Sequence, residues 1–246
     1  EPEMRIWSIS DIGLVRHENQ DACGTMLIGE YTAAVVCDGM GGTDGGAVAS
    51  RLAVATYREQ LENLLRGHMT TEQLKEVSGF AIAAANAAIR DRAQEETSIQ
   101  SMGTTLVSAI IRGEDVVVSN VGDSRAYLLS HAGIRQISKD HSLVESMVEQ
   151  GNLTKEQAKK HPGRNLITRA LGPEESVQDD EFDHKWKQGD FLLLCTDGLV
   201  NAVSDQEMLF ENVHTGEPEH CLQRLVDISM SRGAPDNVTA ILIQNI

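Results

Sequence analysis

The stretch Val35-Val36-Cys37-Asp38-Gly39-Met40-Gly41-Gly42 constrains this chain more than any other. An apolar run delivers an aspartate to a strand end, and glycines then let the backbone turn with no Cβ in the way. Leu193-Leu194-Cys195-Thr196-Asp197-Gly198 and Ser119-Asn120-Val121-Gly122-Asp123-Ser124 repeat the design. Pro235-Asp236-Asn237-Val238-Thr239-Ala240-Ile241 mirrors it, with the aspartate at the start of a strand. An isolated carboxylate beside a buried strand is costly unless paired or metal-bound. Four of them in one chain suggest oxygen ligands for hard divalent cations.

The 246 residues could form one large domain or two small ones, and at 41% apolar they suffice for a sizeable core. The net charge of −16, from 37 acids against 21 bases, would repel a phosphate backbone and argues against nucleic-acid binding. No apolar run approaches the roughly 18 residues of a membrane span, and no signal-peptide pattern opens the sequence. A cytoplasmic protein with no membrane association is expected. Met4 is the first methionine, so residues 1–3 are read as an added remnant outside the fold. Cys23, Cys37, Cys195 and Cys221 form no Cys-x-x-Cys pair and read as reduced core residues. Thiols flanking Asp38 and Asp197 would be odd ligands beside hard oxygen donors.

Met4 to Ser10 alternates as a half-buried strand. Ala22 to Ile28 and Tyr31 to Cys37 read as a hairpin around Gly29-Glu30. Apolar spacing predicts a helix over Gly46 to Leu65. A second, capped by Thr70 or Thr71, runs to about Glu96, with an alanine stripe for close packing on the first. Strands are expected over Thr104 to Arg112, Val116 to Asn120, Arg125 to His131, Ile134 to Ile137, Val177 to His184, Asp190 to Cys195 and Val238 to Gln244. Helices are expected over Leu143 to Gln150, Lys155 to Lys160, Ser204 to Phe210 and Pro218 to Ser231. About ten strands and four major helices arriving in blocks argue for a single α+β domain with mostly antiparallel sheets.

Several sites are excluded. No Gly-x-Gly-x-x-Gly or P-loop fits residues 38–46, and Asp38 would repel a phosphate there. His-Glu-x-x-His, Gly-x-Ser-x-Gly and the calcium-loop pattern are absent. Carboxylate metal chemistry remains, with Asp21, Asp38, Asp123, Asp197 and Asp236 as candidates. Each alone could be turn chemistry, since Asp-Gly is a common turn dipeptide. The weight lies in their joint occurrence.

Arg16-x-x-Asn19-Gln20-Asp21, Val36-Cys37-Asp38-Gly39-Met40-Gly41-Gly42, Gly103-Thr104-Thr105, Val121-Gly122-Asp123-Ser124-Arg125-Ala126-Tyr127, Asp140-His141-Ser142, Thr168-Arg169-Ala170-Leu171-Gly172, Thr196-Asp197-Gly198-Leu199 and Asp236-Asn237-Val238-Thr239 occur in one order. In that order they resemble the metal-dependent type-2C Ser/Thr protein phosphatases (the PPM family), most closely the short bacterial branch, over residues 5–244. The resemblance implies one domain over residues 4–246: an α+β sandwich of two mainly antiparallel sheets flanked by helix pairs, with a flap at about 143–165 beside the cleft. It implies two Mg²⁺ or Mn²⁺ ions. Asp38 would bridge them, Asp197 and Asp236 would complete the first site, and the Gly39 carbonyl and Asp21 would serve the second. Asp123 with Asp197 resembles a third, weaker site. Arg16 would bind the substrate phosphate with its two-pronged guanidinium, and Asn237 would orient Asp236.

The implied reaction is in-line attack on phosphorus by a water acidified between two dications, with no covalent phosphoenzyme. Met40 stands where larger relatives carry a histidine read as the general acid. His141 and His161 lie in the right region but read first as structural or surface residues. Gln20 stands where some relatives have glutamate, which lowers the charge at the second metal. The flap is polar, and we expect it to be mobile and to bias substrate choice. Phosphorylated proteins are the expected substrates, a Hanks-type Ser/Thr kinase the expected opponent, and a monomer the expected state. A small-phosphomonoester hydrolase and a catalytically weak phosphoprotein-binding regulator are the rivals. Relative kcat/KM on phosphopeptides and metabolite phosphates separates the first, and loss of a metal aspartate would mark the second.

Overall fold

The computed structural model describes residues 3–42, 44–99 and 101–246. Glu1 and Pro2, from the stretch expected to be a remnant, lie outside that description, as does Thr43 of the glycine-rich stretch. In chain order the elements are β1 (Met4–Asp11), β2 (Asp21–Ile28), β3 (Tyr31–Met40), α1 (Gly45–Leu64), α2 (Thr71–Glu95) and β4 (Gly103–Thr104). Then come β5 (Leu106–Arg112), β6 (Asp115–Val121), β7 (Arg125–Ser130), β8 (Gly133–Gln136), α3 (Leu143–Glu149) and α4 (Lys155–Lys160). The last six are β9 (Asp180–Lys185), β10 (Phe191–Cys195), α5 (Asp197–Val200), α6 (Asp205–His214), α7 (Pro218–Ser231) and β11 (Val238–Asn245).

The strands form two sheets, ordered β1-β11-β10-β7-β8 and β2-β3-β5-β6-β9, with β4 added to β3. Every strand pairing is antiparallel. One core lies between the sheets, built from Ala34, Val36, Val107, Val118, Leu194, Ile241 and their neighbours. A second lies under α1 and α2, where Val35 and Cys37 meet Ala49, Ala53, Ala81 and Ala85. A third lies under α6 and α7, where Leu193 and Leu242 meet Met208, Leu222 and Leu225. The result is four layers, helix–sheet–sheet–helix. The central strands are covered on both faces, which is why they read as continuous apolar runs instead of alternating ones.

The expected elements form within a few residues of their expected ends, with five differences. The single strand expected over Thr104 to Arg112 is divided into β4 and β5. β3 runs on through Asp38 to Met40 because Gly39 and Met40 pair with Thr104 and Gly103. Asp38 therefore lies within a strand, not beyond its end. β9 starts at Asp180, opposite Asn120, where its partner β6 allows pairing to begin. Asp197 opens the short helix α5, which the sequence did not announce. Helix α6 runs to His214, beyond the expected Phe210. Thr70, not Thr71, caps α2, and its side chain and that of Gln73 satisfy each other's backbone amides.

Candidate metal-dependent active site

The site gathers at one end of the sandwich, where both sheets deliver carboxylates. Asp21 opens β2 and stands directly opposite Asp38 in the β2–β3 register. Like charges in that arrangement repel across the ladder. Asp21 is 7% exposed. Its Oδ2 accepts from the Thr239 hydroxyl at 2.6 Å and the Thr196 hydroxyl at 3.1 Å. Its Oδ1 is buried with no partner. Burial pushes the carboxyl up to about 6 against the pull of the two threonines, with the charges of Asp197 and Asp236 adding to the rise.

Asp38 is fixed by its backbone. Its amide donates to the Thr105 hydroxyl at 2.9 Å, and its carbonyl accepts from the Thr105 amide at 2.9 Å. Burial, then the charges of Asp197 and Asp21, hold its carboxyl well above the usual carboxylate range. Asp197, at the start of α5, stands close enough to Asp38 for the two carboxyls to perturb each other, and has a buried Oδ1 with no partner. Its carboxyl is also raised, first by burial, although the closeness of Asp38 works against the rise. Asp123 follows Gly122 at the end of β6. Burial and the charges of Asp197 and Asp140 raise it strongly, opposed by its own backbone amide and by Arg125. Arg125 itself is held by Asp140 through Nε at 2.9 Å and Nη2 at 2.7 Å.

Asp236 is partly open, its side chain 31% exposed. It pairs with Arg16, Nε to Oδ1 at 3.2 Å and Nη2 to Oδ2 at 3.4 Å. Its Oδ1 also accepts from the Asn237 backbone amide at 2.8 Å. The Asn237 side chain makes no hydrogen bond to Asp236, where an orienting one is expected. It accepts from the Gln20 amide at 3.0 Å and donates to the carbonyls of Ile12 at 2.9 Å and Glu18 at 3.0 Å. It thus ties down the loop that carries Arg16 and leads into Asp21.

Gly39 and Gly198 play a part different from turn-making. Neither has a positive φ. A Cβ on Gly39 would stand 2.0 Å from the Gly46 carbonyl oxygen, and one on Gly198 would stand 1.9 Å from that of Asn237. Glycine is needed at both because two backbones touch there. The Asp-Gly pairs mark close packing at the ends of the two sheets.

Among the described residues, no three His, Cys, Asp or Glu side chains already stand as a ready-made metal cage. Asp236 is turned onto Arg16, and Asp38 and Asp197 perturb each other. The residues nevertheless fit hard divalent cations. The donors are all oxygens, two buried carboxylate oxygens have no partner, and three buried carboxyls crowd one another. The two histidines are structural. His161 Nδ1 accepts from the Gly163 amide at 2.9 Å, and His141 is buried with its Nδ1 accepting from the Gly122 amide.

Sequence reasoning missed three supports, the hydroxyls of Thr105, Thr196 and Thr239. All three lie inside the recurrent motifs, beside residues singled out for charge. Only the pairing of β10 with β11 shows two of them converging on one carboxylate.

The protein-family profile described as protein phosphatase 2C matches residues 16–228. The serine/threonine phosphatase stp of Listeria monocytogenes is 36% identical over 240 residues, covering 96% of this chain and 93% of that protein. The S. agalactiae serine/threonine phosphatase superposes with a TM-score of 0.92 at 28% identity, covering 99% of this chain and all of that one. The catalytic domain of the phosphatase PstP, solved with two manganese ions, superposes with a TM-score of 0.84 at 33% identity, covering 99% and 98%. With two antiparallel sheets, an oxygen-only cluster at their shared end and these full-length likenesses, the chain belongs to the protein phosphatase 2C family of metal-dependent serine/threonine phosphatases.

Proposed function

We propose that this chain removes phosphate from phosphoserine and phosphothreonine in proteins. In this reading Asp38, Asp21, Asp197, Asp236 and the Gly39 carbonyl hold two Mg²⁺ or Mn²⁺ ions, and Asp123 with Asp197 holds a third, weaker one. One observation carries the reading. Asp21 faces Asp38 across two paired strands, and buried oxygens of Asp21 and Asp197 are left without partners. A chain under no demand for cations would pair or delete such groups.

Bound there, the cations supply positive charge for the phosphoryl oxygens and a water acidified toward neutral pH. The chain's own residues do the rest. Thr196 and Thr239 pin one oxygen of Asp21 and leave the other free for a ligand. Thr105 fixes the backbone that aims Asp38. Arg16, with its side chain 55% exposed, offers a guanidinium fork to the substrate phosphate and is kept at the site by Asp236.

The reading extends to one domain over residues 4–246, a monomer in the cytoplasm, and a Hanks-type kinase as opponent. No described helix is long and apolar enough to cross a membrane. The flap at about 143–165 is assigned to substrate choice. Its helices α3 and α4 contain no buried residue, so their outward faces are free for a partner.

The test is phosphate release from a phosphothreonine peptide with Mn²⁺, with EDTA, and with Asp38→Ala or Asp197→Ala. Activity should require metal and fall at least about 100-fold in both variants. Activity surviving EDTA, or absent at saturating Mn²⁺, would overturn the reading.

A further inference from the structure

His141 lies outside the carboxylate cluster but is wired to it from both sides. Its Nδ1 accepts from the Gly122 amide at 3.1 Å. Its own amide donates to the Gly122 carbonyl at 2.8 Å, and its carbonyl accepts from the Thr168 amide at 2.9 Å. Its Nε2 lies 2.8 Å from Asp180 Oδ2. The ring is 5% exposed at the residue level, and Asp180 is anchored in turn by Arg169 Nη1 at 3.1 Å.

An amide N–H can only donate, so Nδ1 must present its lone pair to Gly122. Nε2 then carries the hydrogen and donates it to Asp180. Arg169 Nη1, 3.2 Å from Nε2, finds no lone pair there and donates to Asp180 Oδ1 instead. A carboxylate that fixes a histidine tautomer so that the other nitrogen can act is a familiar supporting arrangement. Here the nitrogen so freed holds the turn that carries Asp123. Gly122 in that turn has φ of +108°, and a Cβ there would stand 2.7 Å from Thr105 Cγ2, so the turn has little freedom of its own. The same histidine precedes Ser142, which caps α3 at the start of the flap. Thr168, bonded to the His141 carbonyl, follows the flap's return at Ile167, which bridges to Ser142.

We propose that His141 is a positioning residue. As the Nε2-protonated tautomer set by Asp180, it holds the Gly122–Asp123 turn in register for the weakest cation site and joins both ends of the flap to that turn. The proposal rests on the metal-dependent reading above.

Two substitutions divide the ring's two jobs. His141→Asn keeps an acceptor near the Nδ1 position and loses the reach to Asp180. His141→Gln keeps an amide donor near the Nε2 position and loses the acceptor for Gly122. Calorimetric titration with MnCl₂ should show the weakest site of His141→Gln weakened by about tenfold or more, with the tighter sites unchanged. His141→Asn should stay within about threefold of the unsubstituted protein at all sites. Equal isotherms for both variants, whether unchanged or equally weakened, would overturn the proposal. Should neither variant fold, the imidazole ¹⁵N spectrum of the unsubstituted protein decides: hydrogen on Nε2 supports it, and hydrogen on Nδ1 overturns it. If the unsubstituted protein binds Mn²⁺ yet releases no phosphate, the phosphatase reading falls while the isotherms still judge His141.

Discussion

A methyl group on Gly198 would stand 1.9 Å from the Asn237 carbonyl oxygen, and backbone cannot swing aside as a side-chain tip can. Gly198→Ala should therefore cost about 1–3 kcal/mol of overpacking strain. That corresponds to a thermal midpoint lower by about 2–12 °C for a chain of this size, read by calorimetry in EDTA. His141 supplies a prediction of the opposite kind, through protons. Burial holds its proton affinity below the ordinary 6.5, against the pull of Asp180 and with the help of Arg169. The unfolded chain therefore takes up a proton there before the folded one does, so stability rises with pH through that window. As the pH is lowered from 8 through 6.5 and below, the melting temperature of the unsubstituted protein should lose ground against that of His141→Asn, because only the former must shed this contribution. An equal slope in both proteins would refute the assignment. At this scale the carboxylates were legible because charged residues at strand ends are costly and so conspicuous. The role of Asn237 was not. Its sequence neighbour is Asp236, but its side-chain partners lie at Gln20, Glu18 and Ile12, more than 200 positions away.

Elements were most legible where periodicity ran long. α1 and α2 follow their apolar and alanine spacing, and the hairpin β2–β3 follows its turn. Short elements escaped. β4 is two residues long and exists only because β3 needs a partner for Gly39 and Met40. α5 is a four-residue helix, too short for any periodic signal. The flap was visible as a polar interruption, and its helices are set by local caps: Ser142 bonds the Glu145 amide at 3.2 Å and Thr154 the Gln157 amide at 3.1 Å. Because α3 and α4 contain no fully buried residue and α3 is only half-buried over 144–148, exchanging residues 143–165 for a relative's segment should leave the melting temperature within a few degrees. The same exchange should change relative kcat/KM among phosphopeptides several-fold. Unchanged peptide preference would remove substrate choice from the flap.

For the whole molecule, both sheets contribute carboxylates to one cluster, so cations act across the seam between them. Asp21 and Asp38 come from one sheet, while Asp197 and Asp236 flank strands of the other. Mn²⁺ at about 100 times its dissociation constant should add about 2.7 kcal/mol of stability for one such site, and EDTA should reverse it. A melting temperature indifferent to Mn²⁺ would argue against cation binding by the folded state. The layer order was legible from the block arrangement of strands and helices, but the pairing of distant strands was not. Nothing in one sequence says that β11 inserts between β1 and β10.

That insertion also gives the molecule a timetable. β11 is made after every other element, yet it sits inside its sheet, paired over Met4–Asp11 on one side and Phe191–Cys195 on the other. It also brings Thr239, whose hydroxyl reaches Asp21 across 218 positions. During synthesis the α1–α2 side can assemble early, while β1 waits unpaired for a strand not yet translated. A growing chain on the ribosome thus carries most of the cluster's carboxylates but not their closing support. The site is completed in one late step, and a chain cut short before Val238 would hold aspartates without a finished place to put them.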